Sequence, residues 1–353
     1  MEPGEKHGGV RGAKIENAPC EAVEPHRTRR SSTHLRVGRA ALDPPDPRHW
    51  NLDSRHCFSP PIQSAPAMKI HPDCRPCLLK QMETTAKAAG ADEETLQKVL
   101  EGITVELNRS WNNDLSPPAV STPLYQFASQ MCGVEDPFLA MKVRYTREAL
   151  KLLPKLEKLV QKSSDPFDTA VRISIAGNII DFGTGEHGGG FDMEETLVQF
   201  LEKPFFQNGV DEMREKVSKA RTILYIGDNA GETVFDRPLL GLLGPDRVVY
   251  AAKERAIIND ATVSDAALAG IHLHARLIST GAGTPGTILE ECSALFRDHF
   301  ERADLVIAKG QGNFETLTEL TQDGRIFMLF TVKCPVAADY LGAAMGDMVV
   351  MKW

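Results

Sequence analysis

From residue 222 to its end the chain repeats one alternation: a short apolar run rich in β-branched and aromatic residues, then a stretch with apolar residues three and four apart. The runs are residues 222–226, 247–252, 275–278, 304–308, 325–331 and 348–351. Apart from a polar or charged residue at an end, and Arg276, they are apolar throughout, as in strands covered on both faces. Strands that alternate with helices join through crossovers into parallel βαβ units. The spacing therefore predicts an α/β fold in which residues 206–353 form a Rossmann-like domain with a mainly parallel sheet. In such sheets ligands bind beyond the carboxyl ends of the strands, so the residues that follow each run matter most.

The first run stops at Gly227-Asp228-Asn229-Ala230-Gly231-Glu232. A carboxylate and an amide oxygen at a strand-to-helix turn are hard ligands suited to Mg²⁺ or Mn²⁺, and Asp and Asn are equally the commonest helix caps. The second run ends at Lys253, and its connection carries Ile257-Ile258-Asn259-Asp260-Ala261-Thr262. Asp260 could share a cation with Asp228, or start the next helix. The fourth run ends at Lys309-Gly310-Gln311-Gly312-Asn313. Two glycines let backbone approach an anion and the ammonium supplies the countercharge, so this turn reads as a phosphate site, or else as a flexible turn with a solvated lysine. Lys333, after the fifth run, could reach the same phosphate, and residues 281–286 could contact a substrate.

Upstream the pattern changes. Residues 78–89, 94–107, 137–160 and 168–180 carry helical spacing, which predicts an α-helical domain over residues 68–205. Residues 1–67 hold 9 of the 22 prolines and 5 of the 10 histidines and have no apolar period. They are expected to be disordered, or a start-site extension ahead of Met68. The net charge of −8 is uneven, +2 over residues 1–67 and −10 over the rest. An acidic body excludes nucleic acid as the expected partner. No run approaches the roughly 20 apolar residues that span a bilayer, and seven scattered cysteines suit a reducing compartment. A cytoplasmic location, with no membrane partner, is the expectation.

Two further motifs invite assignment. Cys74 and Cys77 form a CxxC ahead of the first predicted helix, where the helix dipole should depress a thiol pKa. Structural packing, a local disulfide, an auxiliary metal site and redox chemistry all remain open for the pair. Gly185-Glu186-His187-Gly188-Gly189-Gly190 lacks the Lys-Ser/Thr of a phosphate loop and reads as a flexible loop.

Five motifs in order, Cys74 to Cys77, Ala176-Gly177-Asn178 to Gly183, Gly227 to Glu232, Ile258 to Thr262 and Lys309 to Asn313, resemble the damage-control phosphatases, formerly domain of unknown function 89, in their prokaryotic CxxC-containing branch. The resemblance covers residues 68–353. It implies a metal-dependent phosphomonoester hydrolase for sugar phosphates or damaged phosphometabolites, with Mn²⁺, Ni²⁺, Co²⁺ or Mg²⁺ as cofactor. It also implies Asp228, Asn229 and Asp260 as metal ligands, Lys309 on the phosphate beside the Gly310 backbone, and Asn178 lining the pocket. Asp228 or Asp260 would orient or deprotonate the attacking water. No DxDx[TV] or C-x5-R signature is present: only four residues separate Cys292 from Arg297. Direct attack by water is therefore expected. The alternatives are a phosphometabolite-binding module without catalysis and a redox protein built on Cys74 and Cys77. The oligomeric state is not legible.

Overall fold

A computed structural model describes residues 66–177, 197 and 200–353. The expectations for residues 1–65, Asn178 and the glycine-rich stretch 185–190 lie outside the described residues. The described residues belong to one compact unit.

Helices α1 (Cys74–Ala88), α2 (Glu93–Ser110) and α3 (Pro117–Cys132) pack on one another. In α2 the Asp92 side chain accepts the Thr95 N–H at the N-cap and Val99, Ile103 and Leu107 form a stripe at four-residue spacing, the arrangement that buries one helix face. The stripe meets Leu78, Met82, Val120 and Leu124; cutting Ile103 back to Ala would cost about 2–5 kcal/mol. No helix is expected from sequence at α3, because Pro117, Pro118 and Pro123 interrupt it. Pro117 and Pro118 sit in the first turn, where their missing N–H groups are not needed. Pro123 lies inside the helix and removes one backbone bond, against which Val120, Leu124, Tyr125 and Ala128 are all buried.

Helices α4 (Leu139–Lys162) and α5 (Pro166–Ala176) instead share a core with one face of the sheet. The strands are β1 (Phe205–Asn208), β2 (Ile223–Ile226), β3 (Val248–Ala252), β4 (Arg276–Ser279), β5 (Leu305–Lys309), β6 (Ile326–Thr331) and β7 (Met348–Lys352). Their order is β1-β7-β6-β5-β2-β3-β4. Only the β6–β7 pairing is antiparallel. β1 is the strand the sequence reading lacks: in Phe205-Phe206-Gln207-Asn208 only two residues are apolar, so no apolar run marks it.

Side chains alternate between two cores as strand geometry requires. Ile223, Tyr225, Leu305 and Ile307 face α4, α5, α6 (Val210–Lys219) and α7 (Thr233–Leu243). Leu224, Ile226, Val306 and Ala308 face α9 (Ala294–Arg302), α10 (Gln311–Leu317) and α11 (Pro335–Leu341). The sheet is thus covered on both faces, as the apolar runs imply. The short helix α8 (Val263–Leu268) follows β3. β2 pairs with β3 on one side and β5 on the other, so the strand order reverses there. At such a switch point the two connections leave in opposite directions and open a crevice at the carboxyl ends. No described helix is long and apolar enough to cross a membrane.

Candidate functional site

The crevice is bounded by the loops that leave β2 and β3, which are zipped together. Ala230 N–H donates to Asn259 O at 2.9 Å and Ala261 N–H to Asp228 O at 2.7 Å, forming an isolated antiparallel bridge between Asn229 and Asp260. Directly opposed residues in such a bridge put their side chains on one side, so Asn229 and Asp260 are neighbours although 31 positions apart. Ile258, two residues before Asp260, has φ 46° and is the sole non-glycine with positive φ among the described residues. Backbone strain of this kind, about 1–3 kcal/mol, persists where surrounding structure imposes it.

Neither acid serves as a helix cap. The cap position of α7 is Glu232, and α8 is capped by Thr262, whose hydroxyl and Asp265 form a reciprocal box. Asp228 instead lies against Gly310 at the end of β5, and Asp260 lies 3.6 Å from the Lys253 ammonium. Burial, and then the charge of Asp260, pushes the Asp228 carboxyl up to about 7, against the pull of Lys333, Lys309 and Lys253. Burial raises Asp260 as well, with Lys253, Lys142 and Lys333 opposing. Two carboxylates that resist ionising together form a site that favours a cation.

Asn229 adds an oriented amide. Its Nδ2 donates to Asp228 Oδ2 at 3.1 Å and to Glu232 Oε2 at 3.2 Å, which turns Oδ1 away from both carboxylates. Two carboxylates and an amide oxygen make a hard-oxygen donor set that fits Mg²⁺ or Mn²⁺. Among the described residues no group of three or more His, Cys, Asp or Glu side chains is placed to hold a metal ion.

Lys309 is fully buried. Its Nζ donates to Ser174 O at 2.7 Å, Glu232 Oε1 at 2.6 Å and Asp236 Oδ1 at 2.8 Å. An ammonium has three protons, and in this arrangement all three are committed, so none is left for the phosphate that the sequence reading gave it. Burial opposes its charge, yet Asp236 and Glu232 outweigh that and hold its pKa above the ordinary value. Asp236 also accepts the hydroxyls of Tyr225 at 2.7 Å and Tyr250 at 2.8 Å. Glu232 is pushed up to about 8 by burial, with Lys309 pulling the other way.

Lys333 is exposed, and its charge lowers the pKa values of both Asp228 and Asp260. Its backbone N–H donates to Gln311 Oε1 at 2.8 Å. Gly310, with φ 85°, lies directly beneath the Asp228 carboxylate. Two buried hydroxyls, Thr284 Oγ1 on the loop after β4 and Thr331 Oγ1 at the carboxyl end of β6, make no hydrogen bond among the described residues. A cleft of about 320 Å³ is bounded by Tyr125, Ser129 and Phe138 on one side and by Arg255, Ile257 and Ile258 on the other. It shares Ile258 with the loop that carries Asp260. Of residues 281–286, Gly286 gives its carbonyl to the Lys253 ammonium.

Sequence reasoning passed over Glu232, Asp236 and Lys253. Lys253 is buried, bonded to Gly286 O and 3.6 Å from Asp260 Oδ2; its signal was a charged residue immediately after an apolar strand. Cys74 and Cys77 depart from expectation. Both are free thiols, and burial pushes both pKa values up. Desolvation is the largest cause, nearby Glu315 and Cys334 add to the rise, and the His71 backbone for Cys74 and Lys80 for Cys77 oppose it.

Comparison with known proteins gives consistent results. Residues 70–349 match the family model described as damage-control phosphatase ARMT1-like domain. A damage-control phosphatase of Pyrococcus horikoshii is 33% identical over 288 residues, covering 81% of this chain and 98% of the relative. A damage-control phosphatase of Archaeoglobus fulgidus is 34% identical over 289 residues, 80% of this chain and 98% of that one. The crystal structure of a DUF89 family protein from Pyrococcus horikoshii superposes with a TM-score of 0.72 at 33% identity, covering 81% of this chain and 99% of that one.

Proposed function

Since the chain belongs to the damage-control phosphatase family, we propose that it is a metal-dependent phosphomonoester hydrolase acting on small phosphorylated metabolites in the cytoplasm. Asp228, Asn229 and Asp260 supply the oxygen ligands for one divalent cation, Mn²⁺, Ni²⁺, Co²⁺ or Mg²⁺. The observation that carries this reading is the placement of two buried acids, Asp228 and Asp260, on hydrogen-bonded loops at the carboxyl ends of β2 and β3, both free of capping duty. When bound, such a cation supplies Lewis acidity at a phosphoryl oxygen and lowers the pKa of water.

The chain's own groups do the rest. Lys333, exposed beside the acids, takes the phosphate, a role in which it replaces Lys309. The Thr331 hydroxyl, without a partner among the described residues, offers a further donor. Charge that builds on the equatorial oxygens of the transferring group is countered by these donors. Asp228 and Asp260 are the groups able to orient water or accept its proton. The cleft beside Ile258 has room for the organic portion of a small ester.

The test is release of inorganic phosphate from a panel of sugar phosphates and an aryl phosphate, with each of the four cations in turn. Turnover stimulated by metal and absent in Asp228→Ala supports the reading. Tight binding of a phosphometabolite without release would instead identify a binding module.

A further inference from the structure

The two oxygens of Glu232 have different partners. Oε1 accepts from the Lys309 ammonium at 2.6 Å and Oε2 from the Asn229 amide nitrogen at 3.2 Å, the same nitrogen that donates to Asp228 Oδ2 at 3.1 Å. An asparagine amide can sit in either of two orientations that differ by exchange of Oδ1 and Nδ2. A carboxylate accepts only, so it selects the orientation in which the nitrogen faces it. Glu232 cannot turn away, because it is buried and its other oxygen is held by Lys309. Lys309 is in turn fixed by Asp236 and Ser174 O, and Asp236 by Tyr225 and Tyr250. A chain of buried hydrogen bonds therefore runs from the sheet core to the amide of Asn229.

We propose that Glu232 is a positioning residue: together with Asp228 Oδ2 it sets the rotation of the Asn229 amide so that Oδ1, not Nδ2, is presented to the cation, while Lys309 braces Glu232 from behind. The inference rests on Asn229 being a cation ligand. It gives Lys309 a function at the site without any contact to phosphate.

Glu232→Gln isolates the effect. Glutamine has one acceptor oxygen where glutamate has two. The Lys309 ammonium claims that oxygen, which turns the Gln NH₂ against Asn229 Nδ2, so that the amide can no longer keep its nitrogen towards both neighbours and is displaced against the hold of Asp228 Oδ2. Asn229→Asp removes the need for orientation, because either carboxylate oxygen can ligate. The experiment is a double-mutant cycle on the Mn²⁺ dissociation constant, measured by electron paramagnetic resonance on the full chain, with thermal unfolding confirming that each variant is folded. Glu232→Gln should weaken Mn²⁺ binding by about 10- to 100-fold, the usual scale for residues that orient a ligand. In the Asn229→Asp background the same change should leave affinity unaltered or improved. An equal loss in both backgrounds overturns the proposal, since Glu232 would then act through charge or fold, and so does no loss in either. If the parent chain shows no saturable Mn²⁺ binding, the metal reading itself fails and the positioning role falls with it. Should the Gln variant not fold, Glu232→Ala, which leaves Lys309 its contacts with Asp236 and Ser174, takes its place in the cycle.

Discussion

A methyl group placed on Gly310 would lie 2.0 Å from Oδ2 of Asp228. The carboxylate therefore rests on bare backbone where β5 turns into α10, and the position of Asp228 depends on a missing side chain. Gly310→Ala must push the carboxylate aside and also hold φ at 85°, which is strained for any L residue. Activity and metal affinity should both collapse. Gly324→Ala is the control: its φ is 71° but a methyl there meets nothing within 4 Å, so it should cost about 1 kcal/mol of backbone strain and leave turnover unchanged. Equal effects of the two substitutions on Mn²⁺ affinity would show that strain, not contact with Asp228, is responsible.

The two lysines at strand ends should separate cleanly. Lys309→Met leaves Glu232 and Asp236 buried without their cation and should cost about 3–5 kcal/mol in stability, seen as a lowered midpoint in urea. Lys333→Ala removes an exposed charge and should shift stability by no more than about 0.5 kcal/mol, while raising KM for phosphate esters at least tenfold. If Lys333→Ala leaves KM unchanged, the assignment of the phosphate to this residue is wrong.

Glu315 gives stability a pH dependence independent of the metal ligands. Burial pushes its carboxyl from the ordinary 4.5 up to about 7, with a hydrogen bond from Gln311 opposing. Between those values the folded chain holds a proton that the unfolded chain releases, so stability falls as pH rises through the window. The penalty is absent below about 4.5 and complete above about 7, at most about 3 kcal/mol. Glu315→Gln should therefore raise the melting temperature at pH 8 and leave it nearly unchanged at pH 4.5. A gain of equal size at both values contradicts the burial argument.

Sequence and structure agree where burial writes itself into composition. Strands covered on both faces read as continuous apolar runs, and six of the seven among the described residues were legible that way. β1 holds only two apolar residues, and α3 was hidden by three prolines that tertiary burial overrides. Asp228, Asn229 and Asp260 were legible as polar residues at neighbouring strand ends that could share a cation. The bridge that pairs Asn229 with Asp260 was not, because it depends on two irregular loops. The direction of Lys309 was there to be found. Residues two apart in a strand share a face, so Lys309 lies with buried Ile307 and points under α7. Glu232 and Asp236, four apart, line one side of the segment above it. A glycine-flanked lysine suggested a solvent-facing phosphate ligand, whereas strand alternation argued for a buried cation.

The most direct measurement compares the parent chain with Asp228→Ala, both shown to be folded by circular dichroism, for Mn²⁺ binding and Mn²⁺-dependent phosphate release from the same ester. The account predicts saturable binding and metal-stimulated turnover in the parent, with turnover at background and binding at least tenfold weaker in the variant. Undiminished turnover in Asp228→Ala, or parent turnover indifferent to chelation of all divalent metal, would contradict it.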